Sequence, residues 1–318
     1  MTQEEHSVLC LGEALMDVVS GADRPTREHV GGSPLNVAAG LASLDHPASL
    51  CAWWGPDERG ARLEAWASTS GVAIVPGTAG ASRTAVARAQ LDAEGRATYE
   101  FDIEWDVPEL TDLDGYGHLH TGSIAATLEP GGTRVVEVVR GMREHATVSY
   151  DPNIRPALMV EPTRVLERVE TLVGLSDVVK ASDEDLGWLY PGESVEDVMR
   201  RWLRVGPAMV VVTCGPQGAY AMLAGQRDLR SVAQVNVEVG DTVGAGDSFM
   251  AGLVSGLLDA DLLGSARARR RLRDAGWDDV EPALRRAAVT SGITVSQHGA
   301  YAPGRDEVAA VQDDPTRD

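Results

Sequence analysis

The order of apolar and polar residues along the chain predicts strands that alternate with helices. From about residue 117 to residue 214, short apolar runs are separated by segments in which apolar residues recur at helical spacing. The earlier segments HSVLCLGEALMDVV, NVAAGLASLD, ASLCAWW and DERGARLEAWASTSG follow the same alternation. Buried strands that alternate with amphipathic helices are typical of a parallel sheet with helices on both faces, so the predicted fold class is α/β.

Residues 84–101 follow a different pattern. Apolar and polar residues alternate through TAVARAQL, a turn is expected at DAEG, and the alternation resumes in RATYEF. Alternation on both sides of a short turn predicts a β-hairpin. Because the hairpin interrupts the order of strands and helices, we expect it to be an insertion that forms a lid.

Composition and charge narrow the function classes. The 318 residues are 43% hydrophobic, which is enough for a sizeable core, and the formal net charge is -20. Such a charge disfavours nucleic acid and anionic membranes as partners, because both need a basic surface. It does not exclude a phosphorylated ligand, which needs only a local cluster of hydrogen-bond donors.

The cysteines and the amino terminus predict a cytoplasmic protein. Cys10, Cys51 and Cys214 are far apart and odd in number, which fits neither a disulfide framework nor a metal site. The first residues are acidic and lack the basic start of a signal peptide. The apolar runs are too short to cross a membrane.

The segment DTVGAGDSF at residues 241–249 is the strongest candidate for a binding site. It places a glycine turn and Asp247 where the predicted helix SFMAGLVSGLLD begins, after VNVEVG, which is predicted to be a strand. Bare N–H groups at the start of a helix bind anions, and ligands of open α/β sheets collect where strands lead into helices. Two alternatives stay open: a turn without a ligand, and a helix N-cap role for Asp247.

Several common sites are excluded or disfavoured. A phosphate-binding P-loop needs a lysine after its glycines, and the only lysine, Lys180, follows no such loop. Phe249 stands where a dinucleotide-binding motif would have its third glycine. His118 and His120 would share one face of a strand, where a role in the core is expected rather than a metal pair.

The turn is similar to the signature D-T-x-G-A-G-D-x-F of ribokinase-like (pfkB-family) carbohydrate kinases. Further resemblances follow the family's order in VGGSPLNVAAGLASLD (30–45), YDPNIR (150–155), VVTCGPQGAY (211–220) and SQHGAYAP (296–303). They cover nearly the whole chain. The resemblance implies a ribokinase-like three-layer α/β/α sheet with a small β lid, built as one domain over residues 1–318, with the lid formed by residues near 15–35 and 84–101.

The resemblance also implies ATP-dependent phosphorylation of a sugar on a primary hydroxyl. Gly244, Ala245 and Gly246 would donate backbone N–H groups to the transferring phosphate, and Asp247 would take the hydroxyl proton. Phosphoryl transfer needs this combination of alignment, charge neutralisation and a proton acceptor. The positions that match the family's nucleotide contacts are Thr213, Gly215, Gly218 and Thr242.

The positions that match the family's sugar-binding residues are Asp17, Gly31, Gly32 and Asn36. A helix N-cap remains an alternative for Asn36, because Pro34 favours a helix start nearby. Arg155 would hold a sugar hydroxyl or carboxylate, with a surface ion pair as the alternative. Arg83 would reach the sugar when the lid closes.

The metal sites and partners rest on the resemblance as well. The segment KASDEDL departs from the family's N-x-x-E but fits K-x-S-x-E-E of the fructokinase branch, with Asp185 in place of the last Glu. Glu184 and Asp185 would act on Mg²⁺ through water, with an acidic helix start as the alternative. The family also implies a monovalent cation such as K⁺ at Asp241 and the Val243 backbone, and a homodimer through the lid.

Fructose is the expected acceptor, and 2-keto-3-deoxygluconate is the alternative within the family. A nucleoside acceptor is disfavoured, since only 5% of the residues are aromatic. The alternative of another class is a sugar or nucleotide sensor without catalysis, against which the intact Asp247 and glycine turn argue.

Overall fold

The predicted strands form two separate sheets. The computed structural model describes residues 7–21, 24–91, 97–110 and 112–312. Its strands, in chain order, are β1 (Val8–Leu11), β2 (Leu15–Gly21), β3 (Arg24–Gly31), β4 (Ala48–Cys51), β5 (Ala73–Ile74), β6 (Val86–Leu91), β7 (Ala97–Asp102), β8 (His118–Gly122), β9 (Thr147–Asp151), β10 (Val178–Ser182), β11 (Met209–Thr213), β12 (Ala219–Leu223) and β13 (Arg230–Val232).

Nine of these strands form the main sheet, in the order β13-β12-β11-β10-β9-β8-β1-β4-β5. Every neighbouring pair from β11 to β5 is parallel, as the sequence predicts. The strand β12, which the sequence pattern did not predict, runs antiparallel to both β11 and β13. Only residues 214–218 connect β11 to β12, and so short a connection cannot make a parallel crossover.

Helices cover both faces of the main sheet. The helices of the described residues are, in chain order, α1 (Ser33–Ser43), α2 (Glu58–Thr69), α3 (Gly131–Met142), α4 (Pro162–Leu175), α5 (Asp183–Leu189), α6 (Val195–Val205), α7 (Ala245–Asp259), α8 (Ala266–Asp274), α9 (Trp277–Val295) and α10 (Arg305–Gln312), of which α10 packs on α9. Side chains of α1, α2, α7, α8 and α9 form one apolar core with the sheet, and those of α3, α4, α5 and α6 form another. Alternate residues of β1 enter the two cores, which confirms the predicted three layers.

Small residues bring α7 close to two neighbouring helices. A Cβ atom on Gly256 of α7 would lie 2.5 Å from the Cα atom of Ala283 in α9, and one on Gly40 of α1 would lie 2.6 Å from the Cβ atom of Ala251 in α7. Larger side chains at Gly256 and Gly40 would therefore separate these helices. Their close packing fixes the start of α7 relative to the start of α1.

The second sheet, the lid sheet, has the order β3-β2-β6-β7. The predicted hairpin is confirmed, since β6 and β7 pair antiparallel; its turn at DAEG lies outside the described residues. The first part of the lid, predicted near residues 15–35, ends at Gly31. Gly32, with φ 120°, is the N-cap of α1, so the chain leaves the sheet after Gly31 and residues 33–35 are helical.

The segment before the glycine turn differs from the prediction. Residues 235–240 form no regular strand, because β13 already ends at Val232. Instead the backbone N–H groups of Gly240 and Asp241 donate to the carbonyl of Val295, at the end of α9, over 2.8 and 3.1 Å. The turn is therefore held by a helix rather than led in by a strand.

Within the described parts of the chain, no helix combines the length and the apolar character needed to cross a lipid bilayer.

Candidate active site

The carboxyl ends of the parallel strands bring the predicted site segments to one edge of the main sheet. Leu11 pairs with Thr121, Gly122 with Asp151, and Ser182 with Thr213. The segments that follow β1, β9, β10 and β11 therefore begin side by side. This is the edge at which open α/β sheets bind ligands.

The glycine turn forms the start of α7. Gly244 is the N-cap of this helix and has φ 77°, a conformation that favours glycine, and a Cβ atom there would lie 2.7 Å from the Cβ atom of Ala300. Asp247 lies in the first turn of α7, so the alternative that it is the N-cap is wrong. In this first turn the N–H groups of Gly246 and Asp247 have no acceptor among the described residues and are available to an anion, whereas the N–H of Ala245 donates to the carbonyl of Thr242 over 3.3 Å.

Two side chains from α1 hold the Asp247 carboxylate. The Ser33 hydroxyl donates to Oδ1 over 2.6 Å, and the Asn36 amide donates to Oδ2 over 2.8 Å. Asn36 lies inside α1, so its N-cap alternative is wrong. Its Oδ1 atom is buried and accepts no hydrogen bond from the described residues, which leaves it for a ligand hydroxyl. Ser33 was not predicted from the sequence, although it lies within the family-like segment.

Gly31 and Gly32 allow backbone and carboxylate to come together beside α1. A Cβ atom on Gly31 would lie 2.1 Å from Oδ2 of Asp17, and one on Gly32 would lie 2.4 Å from the carbonyl oxygen of Glu13. Asp17 is on β2 opposite His29 of β3. Burial raises the pKa of Asp17, against the opposing effect of the His29 and Arg155 charges.

Glu13 adds a second carboxylate that the sequence analysis missed. Its side chain is buried and accepts a hydrogen bond from the N–H of Ala125 over 3.2 Å. Burial raises its pKa to about 7, and Arg155 is among the groups that oppose this shift. Arg155 therefore lies close enough to act on both Glu13 and Asp17. The sequence feature that could have identified Glu13 is its place two residues after the buried strand β1.

Arg83 does not join these groups in this structure. Both its Nε and Nη2 atoms donate to Oδ1 of Asp102 on β7, over 2.9 and 2.6 Å. The guanidinium is thus engaged at the base of the lid, and its predicted contact with the sugar would require it to leave Asp102.

Asp185, the predicted Mg²⁺ residue, also stabilises the backbone. It accepts from the N–H of Ser182 over 2.8 Å and from the N–H of Ile154 over 2.7 Å, while Glu184 beside it is exposed. The alternative of an acidic helix start is therefore confirmed, since Ser182 and Asp185 form a capping box at α5. The described residues contain no cluster of three metal-binding side chains. One or two carboxylates suffice for Mg²⁺ that arrives with phosphates and keeps its waters, so these residues fit that ion.

Asp241 and the nucleotide-segment residues shape the other side of the turn. Asp241 accepts from the N–H groups of Val243 and Gly299 over 3.1 and 3.0 Å, and these two bonds lower its pKa. The carbonyl of Thr242 accepts from the N–H of Ala245. Thr213 ends β11, and Gly215 and Gly218 follow it with positive φ angles of 51° and 83°.

A buried ion pair lies beneath the turn. The Lys180 ammonium donates to Oδ2 of Asp151 over 2.7 Å, and both side chains are almost fully buried. A Cβ atom on Gly246 would lie 3.0 Å from Nζ of Lys180. In the sequence, Lys180 served only to exclude a P-loop, although a lone lysine in a buried strand was a signal.

The two histidines of β8 belong to the core. The ring nitrogens of His118 are 2.8 and 2.9 Å from the hydroxyls of Thr147 and Ser149, and Ser149 also lies 3.0 Å from Nδ1 of His120. Burial lowers the pKa of both imidazoles to about 3, so both are neutral at physiological pH.

Comparisons with known proteins identify the family of this chain. The family model of the pfkB family carbohydrate kinases matches residues 5–307. The chain is 32% identical over 298 residues to a probable chloroplastic fructokinase-6 of Arabidopsis thaliana, covering 86% of this chain and 75% of that protein.

Solved structures share the fold. A fructokinase of Xylella fastidiosa with bound ATP has a TM-score of 0.81 at 23% identity, covering 96% of this chain and 98% of that one. A double-mutant fructokinase of Vibrio cholerae O395, bound to fructose, ADP and potassium ion, has a TM-score of 0.78 at 24% identity, covering 98% and 99%. These likenesses confirm the ribokinase-like fold.

Proposed function

We propose that this chain, which belongs to the pfkB family of carbohydrate kinases and is a sugar kinase, transfers the γ-phosphoryl group of ATP to a primary hydroxyl of fructose. The observation that carries the proposal is the contact between Asp247 and Asn36. It joins the start of α7, which is suited to a phosphate, to the start of α1, which is suited to a sugar.

The proposed reaction uses this junction directly. The acceptor hydroxyl lies between Asn36 and Asp247, and its oxygen attacks the γ-phosphorus. The bond from the γ-phosphorus to the bridging oxygen breaks, ADP leaves with the electron pair, and Asp247 takes the hydroxyl proton. The N–H groups at Gly244 and Gly246 stabilise the charge on the transferring group, and that of Ala245 joins them when it leaves the carbonyl of Thr242.

The nucleotide is proposed to lie along Thr213, Gly215, Gly218 and Thr242. Asp185 and Glu184 would hold Mg²⁺ through water, and this ion, when bound, neutralises phosphate charge. Asp241, with the carbonyl of Val243, is proposed to bind K⁺. The V. cholerae neighbour, with its bound potassium ion, supports a cation in this fold.

The charges of the sugar pocket favour a neutral acceptor. Asp17 and Glu13 lie where Arg155 acts on both, so the guanidinium already faces carboxylates of the protein. A sugar acid such as 2-keto-3-deoxygluconate would bring a further negative charge beside them. A neutral polyhydroxy sugar instead offers donors to the carboxylates, with Gly31, Gly32 and Asn36 shaping the pocket and Arg83 closing it.

We further propose one domain over residues 1–318, a homodimer through the lid sheet, and a cytoplasmic location. The strands β3 and β7 form the edges of the lid sheet, where a second copy could pair. Cys10, Cys51 and Cys214 are free thiols, as a reducing compartment allows. Light scattering during gel filtration will show whether the protein is dimeric.

The test of the function is ADP release with purified protein, ATP, Mg²⁺ and single sugars: fructose, 2-keto-3-deoxygluconate, ribose and glucose. We expect fructose to give the highest kcat/KM. A preference for the sugar acid would move the protein to the alternative acceptor. Sugar binding without ADP release from any acceptor would support the sensor. Matched NaCl and KCl buffers in the same assay test the proposed K⁺ site.

A further inference from the structure

The position of the Lys180 side chain is unfavourable for a positive charge, which suggests that the charge has a role in the site. Removing an ammonium from water costs several kcal/mol even after the protein relaxes, so a buried lysine needs compensation. Its nitrogen also lies against Gly246, at the positive end of the α7 helix dipole, which repels a cation. Both effects oppose a lysine at this point.

Asp151 supplies only part of the compensation. It pairs with Lys180 through Oδ2, whereas its buried Oδ1 accepts no hydrogen bond from the described residues. The charges of Asp185 and Asp247 also act on the ammonium, and these carboxylates together keep it protonated. The cluster therefore contains one cation among three carboxylates, next to the place proposed for the phosphates of ATP.

We propose that Lys180, held by Asp151, is a positioning residue for phosphoryl transfer: its ammonium supports the glycine turn from below and places a fixed positive charge behind the N–H groups that receive the phosphoryl group. This inference rests on the proposed function. A charge fixed in a dry site needs no reorganisation during the reaction and acts more strongly than it would in water. Without Lys180, the turn would face the carboxylates of Asp151, Asp185 and Asp247 alone.

The test compares Lys180→Met, Lys180→Arg, Asp151→Asn and the double variant Lys180→Met/Asp151→Asn. For Lys180→Met we expect kcat to fall about tenfold to a hundredfold, with the sugar KM changed less than about threefold, since the charge acts on the transferring group. Lys180→Arg, which keeps the charge, should recover part of kcat. Asp151→Asn should lower kcat less than Lys180→Met does.

The double variant separates this role from a structural one. It removes the unpaired carboxylate that Lys180→Met leaves buried, so its melting temperature should recover towards that of the wild type. Its kcat should stay low. Recovery of kcat together with melting temperature, or an unchanged kcat in Lys180→Met, would overturn the proposal. If Lys180→Met does not fold, the double variant alone decides between these outcomes.

A matched control lies at the other end of the same strand. Arg269 donates to the buried Asp177 over 2.8 Å, just before β10 begins. Arg269→Met should lower the melting temperature and leave kcat unchanged.

Failure of the proposed function is distinguishable from failure of this inference. If the wild type releases ADP with none of the sugars, calorimetry with ATP replaces kinetics. The double variant should then bind ATP at least about tenfold more weakly than the wild type, as expected when a fixed charge near the phosphates is lost. Equal affinity would overturn the role of Lys180.

Discussion

The orientation of Asp247 is fixed before any substrate binds. Each carboxylate oxygen accepts one hydrogen bond from α1 and retains a lone pair for a further donor. A carboxylate held in this way can orient a hydroxyl without having to reorganise itself. The Asp247 side chain therefore has the geometry of a proton acceptor and not that of a helix cap.

Asp247→Asn should reduce kcat by roughly a hundredfold to ten-thousandfold, because an amide cannot take the hydroxyl proton. The melting temperature should change little, since the amide oxygen can still accept a bond from α1. Steady-state kinetics and thermal melting check both points. The control is Asp278→Asn, an exposed residue in the first turn of α9. An ordinary kcat in a stable Asp247→Asn protein would remove this residue from the mechanism.

Asp17 is expected to act on the sugar alone. Asp17→Ala should raise the sugar KM at least about tenfold and leave the KM for ATP nearly constant, because it removes contacts made in the ground state. Ser20→Ala, farther along the same strand β2, is the matched control. Equal effects on both substrates would indicate that Asp17 stabilises the lid instead.

Glu13 makes the stability of the protein depend on pH. Its pKa is raised from 4.5 to about 7 in the folded state, so between these values the folded protein binds the proton and the unfolded chain does not. The free energy of unfolding therefore falls as pH rises from 4.5 to 7, by up to about 3 kcal/mol for this one group.

Glu13→Gln should remove that part of the pH dependence. Relative to the wild type, the variant should gain stability as pH rises from 4.5 to 7 and gain no more above it. Denaturant unfolding at several pH values measures this difference. The exposed Glu58→Gln should run parallel to the wild type, and a Glu13→Gln curve that does the same would contradict the raised pKa.

At the scale of elements, the start of α1 contacts the start of α7 and holds its carboxylate. The two helices carry Ser33, Asn36 and Asp247 to the same point, and the small residues Gly40 and Ala251 allow them to come close. The carboxylate is thus positioned by the packing of two helices rather than by a loop, and rigid elements hold a site more accurately than loops do.

Ser33→Ala should lower kcat about tenfold, as expected for the loss of one hydrogen bond to a charged group. The matched control is Ser43→Ala at the other end of the same helix, where the hydroxyl donates to the carbonyl of Ala302. Both variants lose one hydroxyl from α1, but only the first touches Asp247. Equal kcat values in the two variants would show that Asn36 alone is enough to hold the carboxylate.

At the scale of the whole molecule, the net charge of -20 acts on stability. Self-repulsion weakens the compact state and is screened by salt. Raising NaCl from 0.02 to 0.5 M should therefore raise the melting temperature by a few degrees, or about 1 kcal/mol. KCl at equal ionic strength should give a larger increase, because K⁺ at the proposed site near Asp241 would also bind the folded protein. A melting temperature that falls with salt would mean that attractive ion pairs outweigh the repulsion.

The sequence alone determined what depends on local pattern. Alternating apolar runs predicted the α/β layers, the alternation at 84–101 predicted the hairpin, and the glycine turn with Asp247 predicted an anion site at a helix start. The layers, the hairpin and the helix start are confirmed, because apolar periodicity and turn chemistry act over a few residues, and the anion site stays a prediction.

The tertiary structure decided the contacts between distant parts of the chain. Ser33 and Asn36 meet Asp247 across 214 and 211 residues, and Lys180 meets Asp151 across 29 residues. Local pattern likewise suggested a strand at 235–240, where hydrogen bonds to the end of α9 prevail. No periodicity encodes which donor a carboxylate will face, because that depends on how closely packed helices and paired strands bring remote residues together.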